Sequence, residues 1–178
     1  AERLRAYPHQ LSGGMRQRVA IATALLHGPS VIIADEPTTA LDVSIQGQIL
    51  AEVRRLADET GTAIVWVTHD LAVVSSLADD ICVMYAGRIV ESGSAEEVLS
   101  RPRHPYTRGL IESVPSLHEP GQPLPQIPGA TPQLVNLPTG CAFRPRCPRA
   151  TAACATEPPR SGDTHFALCH HPLTEGIA

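Results

Sequence analysis

Two short apolar runs limit the fold of this chain more than any other feature. Val31 to Ala34 and Ala63 to Val67 show no alternation of polar and apolar residues, as expected for strands buried on both faces of a sheet. A helix pattern from about Ser44 to Asp58 separates them. Strand, helix and strand in succession predict a right-handed crossover and a parallel sheet. The first hundred residues are therefore expected to form an α/β domain.

Polar residues follow each of these runs directly. Asp35 and Glu36 come after the first run, and His69, between Thr68 and Asp70, comes after the second. Ligands of open α/β sheets bind at the carboxyl ends of the strands. A carboxylate there can hold Mg²⁺, a second can activate water, and an imidazole can bind a phosphate. Taken alone, such an acidic pair more often caps the following helix, and a lone histidine at a strand end is more often structural.

A third feature precedes the first run. Ser12 is a candidate N-cap for a helix that reaches about Leu26, with Gly13 and Gly14 in its first turn. The free N–H groups and positive dipole end of that turn suit a phosphate, and Ser12 can add a hydroxyl donor. For such a short motif, a plain capped helix start is the ordinary alternative.

Further local signals extend this pattern to residue 100. Asp70 can cap a helix that carries Leu71, Val74 and Leu77. We also expect a hairpin of Ile81–Tyr85 and Arg88–Glu91, turning at Ala86-Gly87, and a short helix opened by a capping box at residues 94–97.

Proline divides the chain in two. Three of the seventeen prolines precede residue 100 and fourteen follow it. We therefore expect one domain over residues 1–100 and an extension of turns, irregular structure and short helices over residues 101–178.

Composition narrows the function classes. The net charge of −4 argues against a nucleic-acid partner. The longest apolar runs, such as Ala63 to Val67, are too short to cross a bilayer, and the chain begins without a secretion-signal pattern. These features lead us to expect a soluble, cytosolic chain.

Four cysteines lie in the proline-rich part, spaced C-x5-C-x6-C-x14-C: Cys141, Cys147, Cys154 and Cys169. In a cytosolic chain they favour metal chemistry over disulfides. The spacing alone leaves a [4Fe–4S] cluster and zinc even, with His165, His170 and His171 as spare zinc ligands; unligated thiols are the third possibility. Cys82 sits in a strand pattern and is expected in the core.

Taken together, the first set of motifs resembles the ATPase subunits of ABC transporters. The string from His9 to Arg18 resembles their signature motif, Asp35-Glu36 the Walker B segment, Pro37 to Asp42 the D-loop, and His69 the switch histidine. The resemblance implies a P-loop NTPase fold with a parallel sheet that uses ATP and Mg²⁺.

The same resemblance implies a role for each matching residue. Asp35 would hold Mg²⁺, Glu36 would be the general base, and His69 would bind the γ-phosphate. Ser12, Gly13 and Gly14 would contact ATP held by a second ATPase subunit, identical or related, with Asp42 at the interface between the two subunits.

The chain contains no lysine, so it cannot contain the Walker A loop Gly-x-x-x-x-Gly-Lys-Ser/Thr. We read it as the C-terminal part of such a subunit and expect no ATPase activity from it alone.

A second resemblance covers about residues 101–172. Arg103 to Thr107, Ile127 to Gly129 and Leu137 to Pro148 resemble the C-terminal extension of oligopeptide and dipeptide importer ATPases. In members with these four cysteines, the extension is associated with a [4Fe–4S] cluster. This implies the four cysteines as ligands, with Arg144, Arg146 and Arg149 either offsetting its charge or forming a solvated face.

The expected function is therefore ATP-driven peptide import. Its expected partners are a second ABC ATPase subunit, transmembrane permease subunits and, indirectly, a peptide-binding protein, at the cytoplasmic face of the membrane. The alternatives are a nickel or other small-solute importer ATPase of the same family, a soluble non-transport ABC-type ATPase, and a metal-binding interaction module.

Overall fold

A computed structural model describes residues 5–39, 41–119 and 121–174, and the chain divides into two compact units between Leu77 and Ala78. The hairpin after Leu77 therefore groups with the proline-rich region. The expected domain boundary near residue 100 stays a prediction.

The first unit alternates helices and strands in the predicted order. After a short 3₁₀ helix, Pro8–Gln10, its elements are α1 Gly13–Leu25, β1 Val31–Asp35, α2 Val43–Thr60, β2 Ala63–Val67 and α3 Leu71–Leu77. β1 and β2 pair in parallel, with Val31 opposite Ala63 and Asp35 opposite Val67. The predicted parallel sheet is thus confirmed. α2 buries Ile49 and Val53.

The prediction that these strands are buried on both faces is wrong. Ile33 is 74% exposed and Val65 is 51% exposed, and alternate residues along both strands share this exposure. In the described part of the chain, α1 and α2 line a groove against one face of a sheet of two strands. The residues that point to the other face remain in contact with solvent.

The second unit is built around an antiparallel sheet. Its elements are β3 Asp80–Tyr85, β4 Arg88–Ser94, α4 Ala95–Ser100, α5 Pro105–Glu112, β5 Arg160–Ser161 and β6 Phe166–Leu168, with 3₁₀ helices at Pro115–Leu117, Leu134–Asn136, Arg144–Arg146 and Ala152–Ala155. The strand order is β3-β4-β6-β5. The hairpin and the capping box at Ser94 are confirmed, whereas β5 and β6 were not predicted, because strands of two and three residues are too short to show a period.

Aromatic side chains form the centre of this unit. Phe143 is 2% exposed, and its ring centroid lies 5.2 Å from that of Tyr85, 5.4 Å from that of Tyr106 and 5.8 Å from that of His104. Such rings contribute both buried area and edge-to-face contacts. The cluster joins the hairpin, α5 and the cysteine-bearing loop.

Cys82 is exposed, so its predicted place in the core is wrong. β3 points Ile81 and Tyr85 inward, and the period of two turns Cys82 to the opposite face. Its Sγ lies 3.3 Å from the hydroxyl of Ser92 on β4.

A glycine lets two cysteine-bearing segments meet. Gly140 has a φ of +74°, and a Cβ on it would lie 2.5 Å from the carbonyl carbon of Ala155 and 2.6 Å from the carbonyl oxygen of Cys154. The next residue, Cys141, donates its N–H to that same Cys154 oxygen at 3.0 Å. A side chain at position 140 would push these segments apart.

We expect Gly140→Ala to destabilise the protein by about 3 kcal/mol, from the left-handed backbone and the overpacking together. Gly87→Ala is the matched control: Gly87 has a φ of +79° with no atom near its Cβ position. It should cost only about 1 kcal/mol. Urea unfolding followed by tyrosine near-UV circular dichroism measures both. Equal losses would contradict the close approach at Gly140.

Candidate functional site

Glu36 and His69 meet at the carboxyl ends of the two parallel strands. Glu36 follows β1 directly, and its N–H donates to the carbonyl of Val67, the last residue of β2, at 2.9 Å. His69 lies two residues beyond Val67, and its Nδ1 stands 2.9 Å from Glu36 Oε1. The structure thus brings together the two predicted catalytic residues.

The conformation of Glu36 is unusual for a residue with a side chain. Its φ is +43°, in the left-handed region that glycine, asparagine and aspartate normally occupy. Thr39 donates its hydroxyl to Glu36 Oε2 at 2.8 Å, so both carboxylate oxygens have a partner. Sequence reasoning did not single out Thr39, although its spacing of three residues allows this contact.

The contact between Glu36 and His69 shifts both pKa values. The hydrogen bond with His69 lowers the pKa of Glu36 from its ordinary 4.5, and the hydrogen bond with Glu36 raises the pKa of His69 from its ordinary 6.5. The contribution of Glu36 to stability is therefore present above its unfolded pKa and lost as the pH falls through its folded pKa. That of His69 is present below its unfolded pKa and lost as the pH rises through its folded pKa.

The signature segment begins α1 as predicted. Ser12 is the N-cap, and its Oγ accepts a hydrogen bond from the N–H of Met15 at 3.3 Å. Gly14 has a packing role, since a Cβ on it would lie 2.7 Å from Ile45 Cγ2 of α2. Gly13 lines the groove of the first unit, about 480 Å³ in volume, whose lining also includes Asp35 and Glu36.

The other two predicted nucleotide-binding carboxylates stand at element ends. Asp35 is the exposed last residue of β1. Asp42 is the N-cap residue of α2, and its carbonyl accepts from Gln46 N–H at 2.9 Å. Its side chain makes no capping hydrogen bond, so it is not committed to the helix end.

The four cysteines of the second unit act on one another through their charges. Burial, aided by the charges of Cys141, Cys147 and Cys154, raises the pKa of the Cys169 thiol to about 11. Burial also raises the pKa of Cys141 and of Cys147. The thiols of Cys141, Cys147 and Cys169 therefore hold their protons near neutral pH.

Backbone N–H groups point at the sulfurs. The N–H of His171 lies 3.3 Å from Cys169 Sγ. Hydrogen bonds from the backbone of Phe143 and Arg144 lower the pKa of Cys141, against the larger effect of burial, and the backbone of Arg149 does the same for Cys147. Such donors favour the thiolate form, which is the form that binds metals.

No group of three or more His, Cys, Asp or Glu side chains within residues 5–39, 41–119 and 121–174 converges closely enough to hold a metal ion. The sulfurs of the four cysteines therefore do not stand in a ligating arrangement. The three histidines considered as zinc ligands make other hydrogen bonds: His165 to Glu91, His170 to Thr156 and His171 to Thr151.

The arginines near the cysteines differ in what they contact. Arg146 donates Nε to the carbonyl of Pro128 at 2.8 Å and Nη2 to that of Ile127 at 3.3 Å, so it anchors a loop. Arg144 lowers the pKa of Cys141 through its charge, although burial dominates that pKa. Arg88, which sequence reasoning missed, pairs with Glu157 at 2.5 Å.

We expect Glu36→Gln to lower the pKa of His69, because the hydrogen bond with Glu36 is the largest cause of its upward shift. The pH titration of the His69 ring protons by NMR measures this. Glu52→Gln is the control, since Glu52 pairs with Arg18 at 3.4 Å. Identical His69 midpoints in both variants would contradict the contact.

None of the helices in the described part of the chain has both the length and the apolar character needed to cross a membrane.

Two family models match the chain. The model described as "ABC transporter" matches residues 1–39, which include the signature segment and Asp35-Glu36. The model described as "Oligopeptide/dipeptide transporter, C-terminal region" matches residues 90–154, which include three of the four cysteines.

Similar proteins carry related names. The oligopeptide transport ATP-binding protein OppD of Escherichia coli is 49% identical over 98% of this chain and 52% of its own length. A putative peptide import ATP-binding protein of Brucella ovis is 56% identical over 86% of this chain and 47% of its own. The probable D,D-dipeptide transport ATP-binding protein DdpD of E. coli is 50% identical over 97% and 53%. The chain thus spans about half the length of these relatives.

A solved structure also matches: the dimeric post-hydrolysis state of the ATP-binding cassette MJ0796 bound to ADP and Pi. It is 40% identical and covers 49% of this chain and 38% of its own, with a TM-score of 0.45. The two family models and the peptide-transport relatives agree with the sequence motifs of both parts of the chain. The chain belongs to the ATP-binding proteins of ABC transporters, in the oligopeptide/dipeptide transporter family.

Proposed function

We propose that the protein containing this chain hydrolyses ATP to drive peptide import across a membrane. The contact between Glu36 and His69 at the ends of two parallel strands carries the proposal. A carboxylate whose pKa is lowered is ionised at neutral pH and can accept a proton from water. His69 Nδ1 holds that carboxylate, which leaves Nε2 for a phosphate oxygen.

The remaining residues complete a shared site. Asp35 would hold Mg²⁺, which supplies charge neutralisation for the phosphates. Ser12, Gly13 and the first turn of α1 would face ATP bound by a second ATPase subunit, and Asp42 would lie at that interface. The uncommitted side chain of Asp42 is compatible with this role.

Peptides are the favoured cargo because the similar proteins are named for oligopeptide, peptide and D,D-dipeptide transport. The match to the transporter C-terminal region disfavours a soluble ATPase without a transport role. We place the protein at the cytoplasmic face of the membrane, peripherally, with permease subunits and a peptide-binding protein as partners. We keep residues 101–178 as the transporter-specific extension of an ATPase domain that includes residues 1–100.

In a full-length protein that contains this chain, Glu36→Gln should lower kcat for ATP hydrolysis about 100-fold or more, since a general base contributes roughly that much. The KM for ATP should change little, because Glu36 acts on water. Phosphate release measures both quantities. Glu59→Gln, a carboxylate paired with Arg55 on the surface of α2, is the control and should hydrolyse ATP normally. Unchanged turnover in Glu36→Gln would refute the role.

We further propose that Cys141, Cys147, Cys154 and Cys169 bind a [4Fe–4S] cluster, with zinc as the alternative. The chemistry of the donor set suits such a group: the second unit supplies four thiols whose charges act on one another, and backbone N–H groups face three of the sulfurs. The cluster would supply a cross-link between the loop segments that carry the four cysteines. Its binding requires the thiols to lose their protons and draw together.

Anaerobically purified protein should contain about four iron and four sulfide per chain, the content of one [4Fe–4S] centre. Cys141→Ser should lose most of both, because one of the four ligands is removed. Cys82→Ser is the control, since Cys82 is exposed on β3 and contacts Ser92. Iron, sulfide and zinc analysis decides the matter. Stoichiometric zinc without sulfide would replace the cluster with a zinc site.

A further inference from the structure

A fully buried carboxylate lies in the second unit. Glu91 of β4 has 0% exposure. Its Oε1 accepts from the N–H of Arg103 at 2.7 Å and from His165 Nε2 at 2.7 Å, and its Oε2 accepts from the N–H of His104 at 2.8 Å. A buried carboxylate is strongly unfavourable unless its oxygens are hydrogen-bonded. Glu91 therefore holds three chain segments in fixed relation.

One of these segments leads directly to a cysteine. His165 precedes β6, whose Phe166 and Ala167 pair with Ser92 and Glu91 of β4. Cys169 follows at the end of β6.

A second set of contacts ties the same region to Arg103. Arg103 Nη1 donates to the carbonyl of His165 at 2.8 Å, and the carbonyl of Arg103 accepts from Leu173 N–H at 2.8 Å. Contacts linked to Glu91 thus flank Cys169 at His165 and at Leu173. Cys169 itself donates its N–H to the carbonyl of Pro159 at 3.1 Å, so Glu91 acts on the segment around it and not on Cys169 directly.

The other three cysteines are held by different contacts. Cys141 bonds the backbone of Cys154, Cys147 N–H donates to the carbonyl of Arg144 at 3.3 Å, and Phe143 packs in the aromatic cluster. None of these hydrogen bonds involves Glu91 or His165. Removing the Glu91 carboxylate should therefore loosen the segment that carries Cys169 and leave the segments that carry Cys141, Cys147 and Cys154 in place.

We propose that Glu91 is a positioning residue for the four-thiol site, which holds Cys169 against Cys141, Cys147 and Cys154. The proposal deepens the metal-centre function and rests on it. The proposed effect is selective, because the carboxylate positions the segment of only one of the four cysteines, Cys169. A general contribution to folding would affect all four thiols alike.

Alkylation of the metal-free, reduced chain by iodoacetamide, mapped by peptide mass, tests this selectivity. In Glu91→Gln, which keeps the size but replaces one acceptor oxygen by a donor, Cys169 should react about tenfold faster or more. Cys141 and Cys154 should keep their rates. Glu96→Gln, the same charge change at an exposed site, is the control. Unchanged rates, or equal increases at all four thiols, would overturn the proposal.

His165→Gln provides a second variant if Glu91→Gln does not fold, because it leaves both backbone donors to Glu91 in place. It should show the same selective increase at Cys169, of smaller size, and no increase would overturn the proposal. Iron and sulfide content separates the two hypotheses. Wild-type protein that contains no metal would refute the metal centre. The alkylation rate of Cys169 in the metal-free chain would still test the positioning role of Glu91. Full iron and sulfide in folded Glu91→Gln would refute the positioning role.

Discussion

The parallel pairing of β1 with β2 decides where the nucleotide-handling residues meet. Asp35 stands opposite Val67, and one further backbone bond, from Glu36 N–H to Val67, extends the pairing past the strand end. The side chains of His69 and Glu36 are 72% and 43% exposed, so burial does not hold them. Their 2.9 Å contact across 33 residues of sequence depends on the strand register. A slip of one residue would reverse the facing of every side chain in the strand.

The second unit is organised around its hairpin. At one end of the hairpin, Tyr85 packs against Phe143, which lies in the cysteine-bearing loop. Further along β4, Glu91 binds the segments at Arg103 and His165. The long, proline-rich chain between these points has little regular structure, so its polar backbone needs side-chain and turn partners. Arg146 supplies one such partner by binding two successive carbonyls.

The sequence predicted the structural features that depend on residues close together in the chain. It missed those that depend on contacts between distant residues. Strand β2, the Ser12 and Ser94 caps and the hairpin turn follow from spacing within a few residues, and the structure has them in place. The predicted burial of Cys82 was wrong, because a run of apolar residues does not show which face of the strand is covered. Glu91 carried no local signal, since its three partners come from segments 12 to 74 residues away.

The Glu36–His69 contact was predictable only through the resemblance and the parallel topology together. Either residue alone fits a structural role, and no spacing rule links position 36 to position 69. The four-cysteine region differs in this respect. The cysteines themselves are visible in the sequence, whereas their protonation depends on how the fold buries them. Burial raises the pKa of Cys169 to about 11, whereas binding to a metal requires a thiolate. Metal affinity must then fall as the pH falls, and the free energy of metal binding also drives the thiol-bearing loops together. The N–H groups already aimed at three of the sulfurs lower the cost of that deprotonation.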